Sequence, residues 1–560
     1  MGFQLSPGVN VSEIDLTTVI PAVSTSAGAL VGQFAWGPVN KRILVDSENT
    51  LVSRFGKPNT DNFVSFFSGA NFLAYGNNLR VVRATATGQT NASATSTPVT
   101  IENEEDYEIN YPVGTQSDAY GTFYSRYPGS LGNSIRVSVC ANTSLFASWN
   151  YKGYFDSAPA TSIFASNVGG ANDEVHIAVI DVNGKISGTA NTVLETFAHA
   201  SKGSDSKTDD GSPNYYVTRI YNDSKYIYVA DHPATGNTGW GGTSVGVTFA
   251  NSLTNASVTL GGGADAVPTG ANYETAWDLF ASGDEVDVSL LVGGNASEVS
   301  IQEYIANIAA SRKDCVAFIS PTRAVSVGTS TNATNIVTYR NTLSINSSYA
   351  VMDSGWKYQF DKYNNVYRYV PLNADIAGLC VNTDNVRDPW WSPAGLNRGI
   401  IKNVVKLSWN PNKTDRDTLY VAGINPVVSF PGEGTVLYGD KTLQSKPSAF
   451  DRINVRRLFI VLEKAIAKAS KYTLFEFNDE FTRAQFVALV EPFLRDVKGR
   501  RGIYDYRVVC DTTNNTPEVI DGNRFVGDIY IKPARSINFI QLNFVAVRTG
   551  VEFSEIVGKF

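Results

Sequence analysis

The sequence is sparing with the residues that carry most enzyme chemistry. Its 560 residues include three histidines, His176, His199 and His232, and four cysteines, Cys140, Cys315, Cys380 and Cys510. No two cysteines are close enough for a CxxC, which excludes a zinc or redox motif legible from spacing, and the four are expected to be reduced and packed. The histidines are expected to be ordinary packed or surface residues without an acidic or cysteine partner at ligand spacing. A basic excess is also missing: 46 Lys and Arg face 53 Asp and Glu, a net charge of −7. That argues against a nucleic-acid coat, which must neutralise phosphates. No apolar run approaches the roughly 18 residues needed to cross a bilayer. The opening MGFQLSPGVNVSEIDL has neither the basic nor the apolar region of a secretory signal. Its Met-Gly start invites myristoylation, but Pro7 and the lack of a nearby basic patch speak against it.

Nucleophile and phosphate motifs fail on inspection. Gly242–Gly246 (GTSVG) fits GxSxG, but a nucleophile elbow needs a strand before Ser244, a helix after it and a later histidine, and none follows His232. Gly434–Thr442 (GTVLYGDKT) has Asp440 where a phosphate loop needs its Gly-Lys step, and a carboxylate there repels phosphate. There is no HExxH and no GxGxxG after a strand. Asp384, Arg387 and Asp388 could form a carboxylate site, although the neighbouring Pro-Trp-Trp reads as a packed loop. No catalytic, cofactor-binding or metal site is therefore assigned. A serine hydrolase using Ser244 and a secreted β-rich surface or adhesin protein stand as the alternative functions.

What is present is material for large cores and contact surfaces: 43% hydrophobic residues, 18% charged, 27 Tyr, 29 Phe and 47 Gly, in a length that predicts three to four domains. Leu5–Leu16 reads as an extended arm, followed by a linker of small residues broken by Pro21. Ala29–Phe34 reads as a buried strand, Asn62–Tyr75 as a helix with a Phe63, Phe66, Phe67, Phe72 stripe, and Leu79–Ala84 as a strand. After Ala84 the composition turns to Thr, Ser, Asn and Gly. From about 110 to 260, strands are expected at Ile135–Val139, Val175–Val182, Tyr215–Ile220, Tyr226–Ala230 and Ser257–Leu260. Alternation then resumes: helix Tyr273–Phe280, strand Val286–Val292, helix Val299–Ser311, strand Cys315–Ser320. Toward the C-terminus, a helix with Val455, Leu458, Leu462 and Ile466 on one face follows a cap at Ser448. A second is capped by Thr482, kinked by Pro492 and ended at Gly499–Gly502. Strands at Tyr504–Asp511, Phe525–Lys532 and Ser536–Val547 close the chain.

That last strand is apolar on both faces, a hazard unless it is paired or covered. It and the N-terminal arm either pair within their own domain or exchange between subunits. Two basic clusters invite opposed readings. Arg452, Arg456 and Arg457 form a solvated face or dock an acidic partner. Lys498, Arg500 and Arg501 do the same, or complement a helix C-terminus.

Longer motifs carry a resemblance. VLYGDKT at 436–442, FDRINVRRLF at 450–459 and DTTNNTP at 511–517 resemble the C-terminal domain of contractile-tail sheath proteins of T-even-like myophages. LSPGVNVSEID at the start, FAWGP at 34–38, NFLAYGNNLRVVRA at 71–84, YPGSLGN at 127–133 and SPAGLNRG at 392–399 fit the same family. The match is strong over 1–90 and 270–560. Across 90–270, where this chain is shorter than the larger members, YPGSLGN alone stands out.

The resemblance implies a non-enzymatic virion protein, assembled in the host cytoplasm. It would stack as hexameric rings around a tail tube and contract to drive that tube through the host envelope for genome ejection. Implied partners are itself, the tube protein, and baseplate and terminator proteins, with neither nucleic acid nor membrane insertion. The implied fold is multidomain α+β: arm and linker 1–22, a discontinuous α/β core at 23–88 and 266–425, a β-rich outer insertion at 89–265, an inner α/β domain at 426–535, and a C-terminal arm at 536–560. Neighbours would complete the inner domain by exchanged strands. Carried over by position, exchange would use Val9, Val11, Ile14, Leu16, Ile537, Phe539, Ile540, Leu542 and Phe544 against Val508 and Ile529. Tube contacts would come from Lys498, Arg500 and Arg501.

Overall fold

A computed structural model describes residues 24–115, 119–251, 256–295 and 298–542. The chain divides into two compact units, 1–476 and 477–560.

The larger unit is built on a seven-stranded sheet ordered Ile424–Asn425, Ala350–Asp353, Val316–Ile319, Leu290–Val292, Gly28–Gly32, Leu79–Arg83, Ile43–Val45. All neighbours run parallel except Ile43–Val45, which closes one edge antiparallel. Parallel strands covered on both faces need apolar residues at every position, and Gly28–Gly32 is buried throughout. Leu30, Val81, Leu290 and Phe318 enter one core with Leu51, Phe66, Phe72 and Leu379. Those partners come from helices Glu48–Phe55, Phe63–Leu73 and Asn373–Val386. Ala29, Val31, Val82 and Leu291 face the opposite core, with Tyr273, Trp277 and Ile305 from helices Gly270–Asp278 and Val299–Arg312. Packing is close enough that two glycines are required by contact: a Cβ on Gly28 would lie 2.5 Å from the Phe72 ring, and one on Gly378 2.3 Å from Tyr75.

The sheet draws its strands from 28–83 and 290–425, with the intervening stretch carrying cores of its own. Strands Thr192–Ser201, Glu174–Asp181, Ile135–Cys140 and Ala256–Thr259 form an antiparallel sheet, and Phe123–Ser125 pairs with Ile227–Val229. Tyr215–Ile220, expected as a strand, is corrected to a helix, Tyr216–Asp223. Its β-branched and aromatic residues suggest a strand, but Tyr216 and Ile220, four apart, are the two it buries. The ten-residue strand Thr192–Ser201 was not expected because most of it is half-exposed and its apolar residues come in pairs, Val193-Leu194 and Phe197-Ala198, which breaks the alternation of a strand.

YPGSLGN sits where this region meets the main sheet. Gly129 has φ +137°, open to glycine; buried Arg83 donates to the Pro128 carbonyl at 2.7 Å, and Ser130 donates through its backbone and hydroxyl to Asp265. Trp36, from the first segment, is buried in the core that holds Tyr127, Ile135 and Val137.

Two caps differ from expectation. Ser448 caps a short 3₁₀ turn, Ala449–Asp451, and the long helix starts at Ile453. The next helix, Glu480–Gly499, is capped by Asp479, whose carboxylate accepts from the Thr482 backbone N–H at 2.8 Å, so Thr482 is not its cap. In the smaller unit this helix accompanies the antiparallel pair Ile503–Val509 and Asp528–Pro533.

Candidate assembly site

The sequence points to the chain ends, and the structure describes the approach to each. In the smaller unit, strands Ile503–Val509 and Asp528–Pro533 pair with Val508 opposite Ile529 and Tyr506 opposite Ile531. The register shifts once, between Ile503 and Asp505. Pro533, with no N–H to donate, is the last strand residue. Among the described residues, 534–542 carry no strand, although the Ala534 amide still donates to the Gly502 carbonyl at 3.1 Å. Along them Ile537, Phe539, Ile540 and Leu542 are 81%, 85%, 79% and 71% exposed. Four large apolar side chains in succession at that exposure form a patch of the kind that marks an interaction segment. Phe544 lies outside the described residues, as do Val9, Val11, Ile14 and Leu16.

The basic groups proposed from sequence lie at the end of helix Glu480–Gly499. Lys498 Nζ is 3.0 Å from Asp505 Oδ1 and Arg500 Nη1 is 3.3 Å from Asp496 Oδ2, with all four side chains about half exposed. Arg501 takes a left-handed φ of 66° and is exposed.

The other basic cluster is interior, which corrects both readings offered for Arg456 and Arg457. Arg456 lies between the Tyr349 and Phe450 rings, its guanidinium carbon 4.1 and 4.0 Å from their centroids. Arg457 Nη2 meets Asp384 Oδ2 at 2.7 Å, and Arg452 reaches Asp440 at 3.3 Å. The Asp384–Arg457 pair spans 73 residues, so no local spacing could have revealed it.

The rejected chemistry has structural counterparts. Ser244 is fully buried, and its Oγ donates to Asp205 Oδ1 at 2.8 Å. His232 bonds the Tyr216 hydroxyl at 2.6 Å. The four cysteines are buried and free. The expectation that no acidic partner lies at ligand spacing concerned neighbours along the chain; in the fold, His199 Nδ1 lies 2.9 Å from Glu174 Oε2 and Nε2 2.9 Å from Asp156 Oδ1. Strand pairing brings Glu174 close, and the loop before it brings Asp156, neither being readable from the histidine's own neighbours. Among the described residues no group of three His, Cys, Asp or Glu could hold a metal, and no helix is long and apolar enough to cross a membrane.

Three family descriptions cover most of this architecture. Residues 27–84 match the tail sheath protein Gp18 domain III N-terminal region, 266–443 the phage tail sheath protein central domain, and 445–546 the phage tail sheath C-terminal domain. The tail sheath protein of Enterobacteria phage T4 is 36% identical, over 99% of both chains. The chain belongs to the phage tail sheath protein family. Tail sheath proteins of Vibrio phage KVP40 and Salmonella phage ViI are 35% and 32% identical, each over 99% of this chain and 100% and 98% of their own. Among solved structures, sheath tail proteins of Listeria innocua and Desulfitobacterium hafniense share the fold at 10% and 9% identity. Their TM-scores are 0.53 and 0.50, over 92% and 91% of this chain and 96% and 94% of theirs. The chain is thus a structural subunit of a contractile phage tail sheath, a virion tail component.

Proposed function

We propose that this sheath protein polymerises as stacked hexameric rings around a tail tube, and that the lattice contracts to drive the tube through the host envelope for genome ejection. Baseplate and terminator proteins bound its ends, and assembly takes place in the host cytoplasm. Strand exchange makes the durable joints: Leu5–Leu16 and Ser536–Val547 of one copy extend the Val508 and Ile529 strands of neighbours. Residues 426–535 lie innermost, with Lys498, Arg500 and Arg501 toward the tube, and 89–265 outermost. The work comes from the difference between two lattice packings, without nucleotide or other cofactor.

The observation that carries this reading is the run from Ile537 to Leu542, which leaves the C-terminal hairpin with its apolar side chains in solvent. Added as a strand to a neighbour, it would bury those apolar side chains, a gain of roughly 25 cal/mol per Å² of apolar surface removed from water. Deleting residues 1–16 is expected to give folded subunits that no longer polymerise. Leu542→Pro, which removes a ladder donor, should do the same from the other end. Negative-stain imaging and sedimentation check both; long tubes from either variant would place the arms within their own subunit.

A further inference from the structure

The root of the N-terminal arm is fastened to three distant parts of the larger unit. Ser289 Oγ donates to the Ser24 carbonyl at 2.9 Å, and the Ser289 and Leu290 amides donate to the Ala27 carbonyl at 2.9 and 3.1 Å. Between them, Thr25 Oγ1 donates to Asp384 Oδ2 at 2.7 Å. Arg457 Nη2 meets the same oxygen at 2.7 Å and the Thr25 carbonyl at 3.4 Å, while its Nη1 reaches the Cys380 carbonyl at 3.3 Å. The Arg457 and Asp384 side chains are 4% and 8% exposed, and Asp384 Oδ1 has no hydrogen-bond partner.

This ion pair is badly placed to stabilise the helices that bear it. Asp384 lies in the last turn of Asn373–Val386 and Arg457 near the start of Ile453–Ser470. The Asp384 charge has the wrong sign for the C-terminal end of its helix, and Arg457, one turn inside its own helix, gains nothing from that helix's dipole. A buried pair is also no better for stability, as a rule, than well-packed apolar residues of similar volume. What apolar residues could not do is bind the backbone and hydroxyl of Thr25.

We propose that Thr25, Asp384 and Arg457 form a clamp at the root of the N-terminal arm. Tension on residues 1–23 then passes into two helices and the central sheet instead of peeling strand Gly28–Gly32 from its neighbours. The role in tension rests on the reading that the arm pairs with another copy.

Two full-length variants test it: Thr25→Val, and Asp384→Leu with Arg457→Met, which keeps the volume and removes both charges. Hydrogen exchange on unassembled subunits should quicken at least tenfold at amides 25–31 and stay unchanged in the insertion. Tubes should form but come apart at a lower guanidinium concentration than wild type. If the double variant fails to fold, Thr25→Val carries both readouts. Unchanged exchange overturns the clamp. Faster exchange with tubes of wild-type resistance, in a protein whose 1–16 deletion abolishes tubes, overturns the path of tension while leaving the arm reading intact. Tubes from the 1–16 deletion overturn the arm reading and the tension role with it, a result separable from the exchange data.

Discussion

Lys357 and Asp375 sit 2.9 Å apart with both side chains essentially inaccessible, and Asp375 also accepts from the Tyr75 hydroxyl at 3.2 Å. Lys357 donates its remaining reach to the Lys402 carbonyl. Burial pushes the Asp375 carboxyl up and the Lys357 amine down, each opposed by the other's charge. Removing one partner strands the other in the core, so Asp375→Ala should cost about 3–5 kcal/mol. The paired replacement Lys357→Met with Asp375→Leu should cost much less, and urea melts of the three proteins measure the difference. His199 makes a pH-dependent counterpart in the insertion. Burial lowers its pKa, but the Asp156 and Glu174 carboxylates outweigh that and the net shift is upward. His176, whose ring is 4.5 Å from that of His199, and His232 are shifted down by burial. A raised histidine contributes stability that is complete below the unfolded pKa near 6.5 and lost as pH rises through the folded value. Lowered ones make the fold weaker as pH falls below that range. Local stability around Asp156–His199 should therefore peak near the ordinary histidine pKa. His199→Gln should abolish the alkaline decline and keep the acid one, as read by hydrogen exchange across 155–160 over pH 5–9.

Elements were legible where the spacing of neighbouring residues is enough to set the element, even in a helix such as Phe63–Leu73 that is buried on nearly every face. The aromatic stripe on 62–75 predicted the observed helix Phe63–Leu73, and the alternation around Val508 and Ile529 predicted two strands that pair through those residues. Legibility failed where contacts made over long separations decide the outcome. Phe450 is near in the chain, but nothing there announces that Tyr349 and Asp384, 107 and 73 residues away, complete the enclosure of Arg456 and Arg457, so an arginine cluster on a helix read as surface. Tyr216–Asp223 was misread because propensity yields to which face tertiary packing buries. The helix end at Lys498–Arg501 is exposed, and its ion pairs with Asp505 and Asp496 are solvated surface contacts that add little to stability. Arg500→Glu with Arg501→Glu should thus leave subunit melting and sheath self-assembly near wild type. Co-assembly on purified tubes should weaken and lose much of its salt dependence. Tube binding that matches wild type across a salt series would remove these residues from the tube-facing surface.

At the scale of the whole molecule, the chain leaves the central sheet after Arg83 and returns to it at Leu290, and the two crossings are adjacent. Thr90 and Ala264 form an antiparallel bridge, each amide donating to the other's carbonyl at 3.1 Å. A cut there leaves ends that a two-residue turn can join, so the closure entropy is that of a hairpin and not of a long loop. The excision removes several partners: the amide of buried Val39 loses the Glu102 carbonyl at 2.9 Å, Thr85 loses the Glu102 carboxylate at 2.8 Å, and Lys41 loses Glu104 at 3.1 Å. Arg83 loses the Pro128 carbonyl but keeps that of Gly37 at 2.9 Å. Trp36, now 5% exposed, loses the core that Tyr127, Ile135 and Val137 provide. Both faces of the central sheet keep their helices, because the cores around Leu30 and around Val31 contain no residue from 91–263. Replacing 91–263 by Asn-Gly, together with Trp36→Gln to blunt the new apolar surface, should therefore give a folded subunit that still polymerises into narrower tubes. Circular dichroism and negative-stain diameters check this. Global unfolding would mean that the insertion's core, and not merely its bridging contacts, is needed to hold the sheet together.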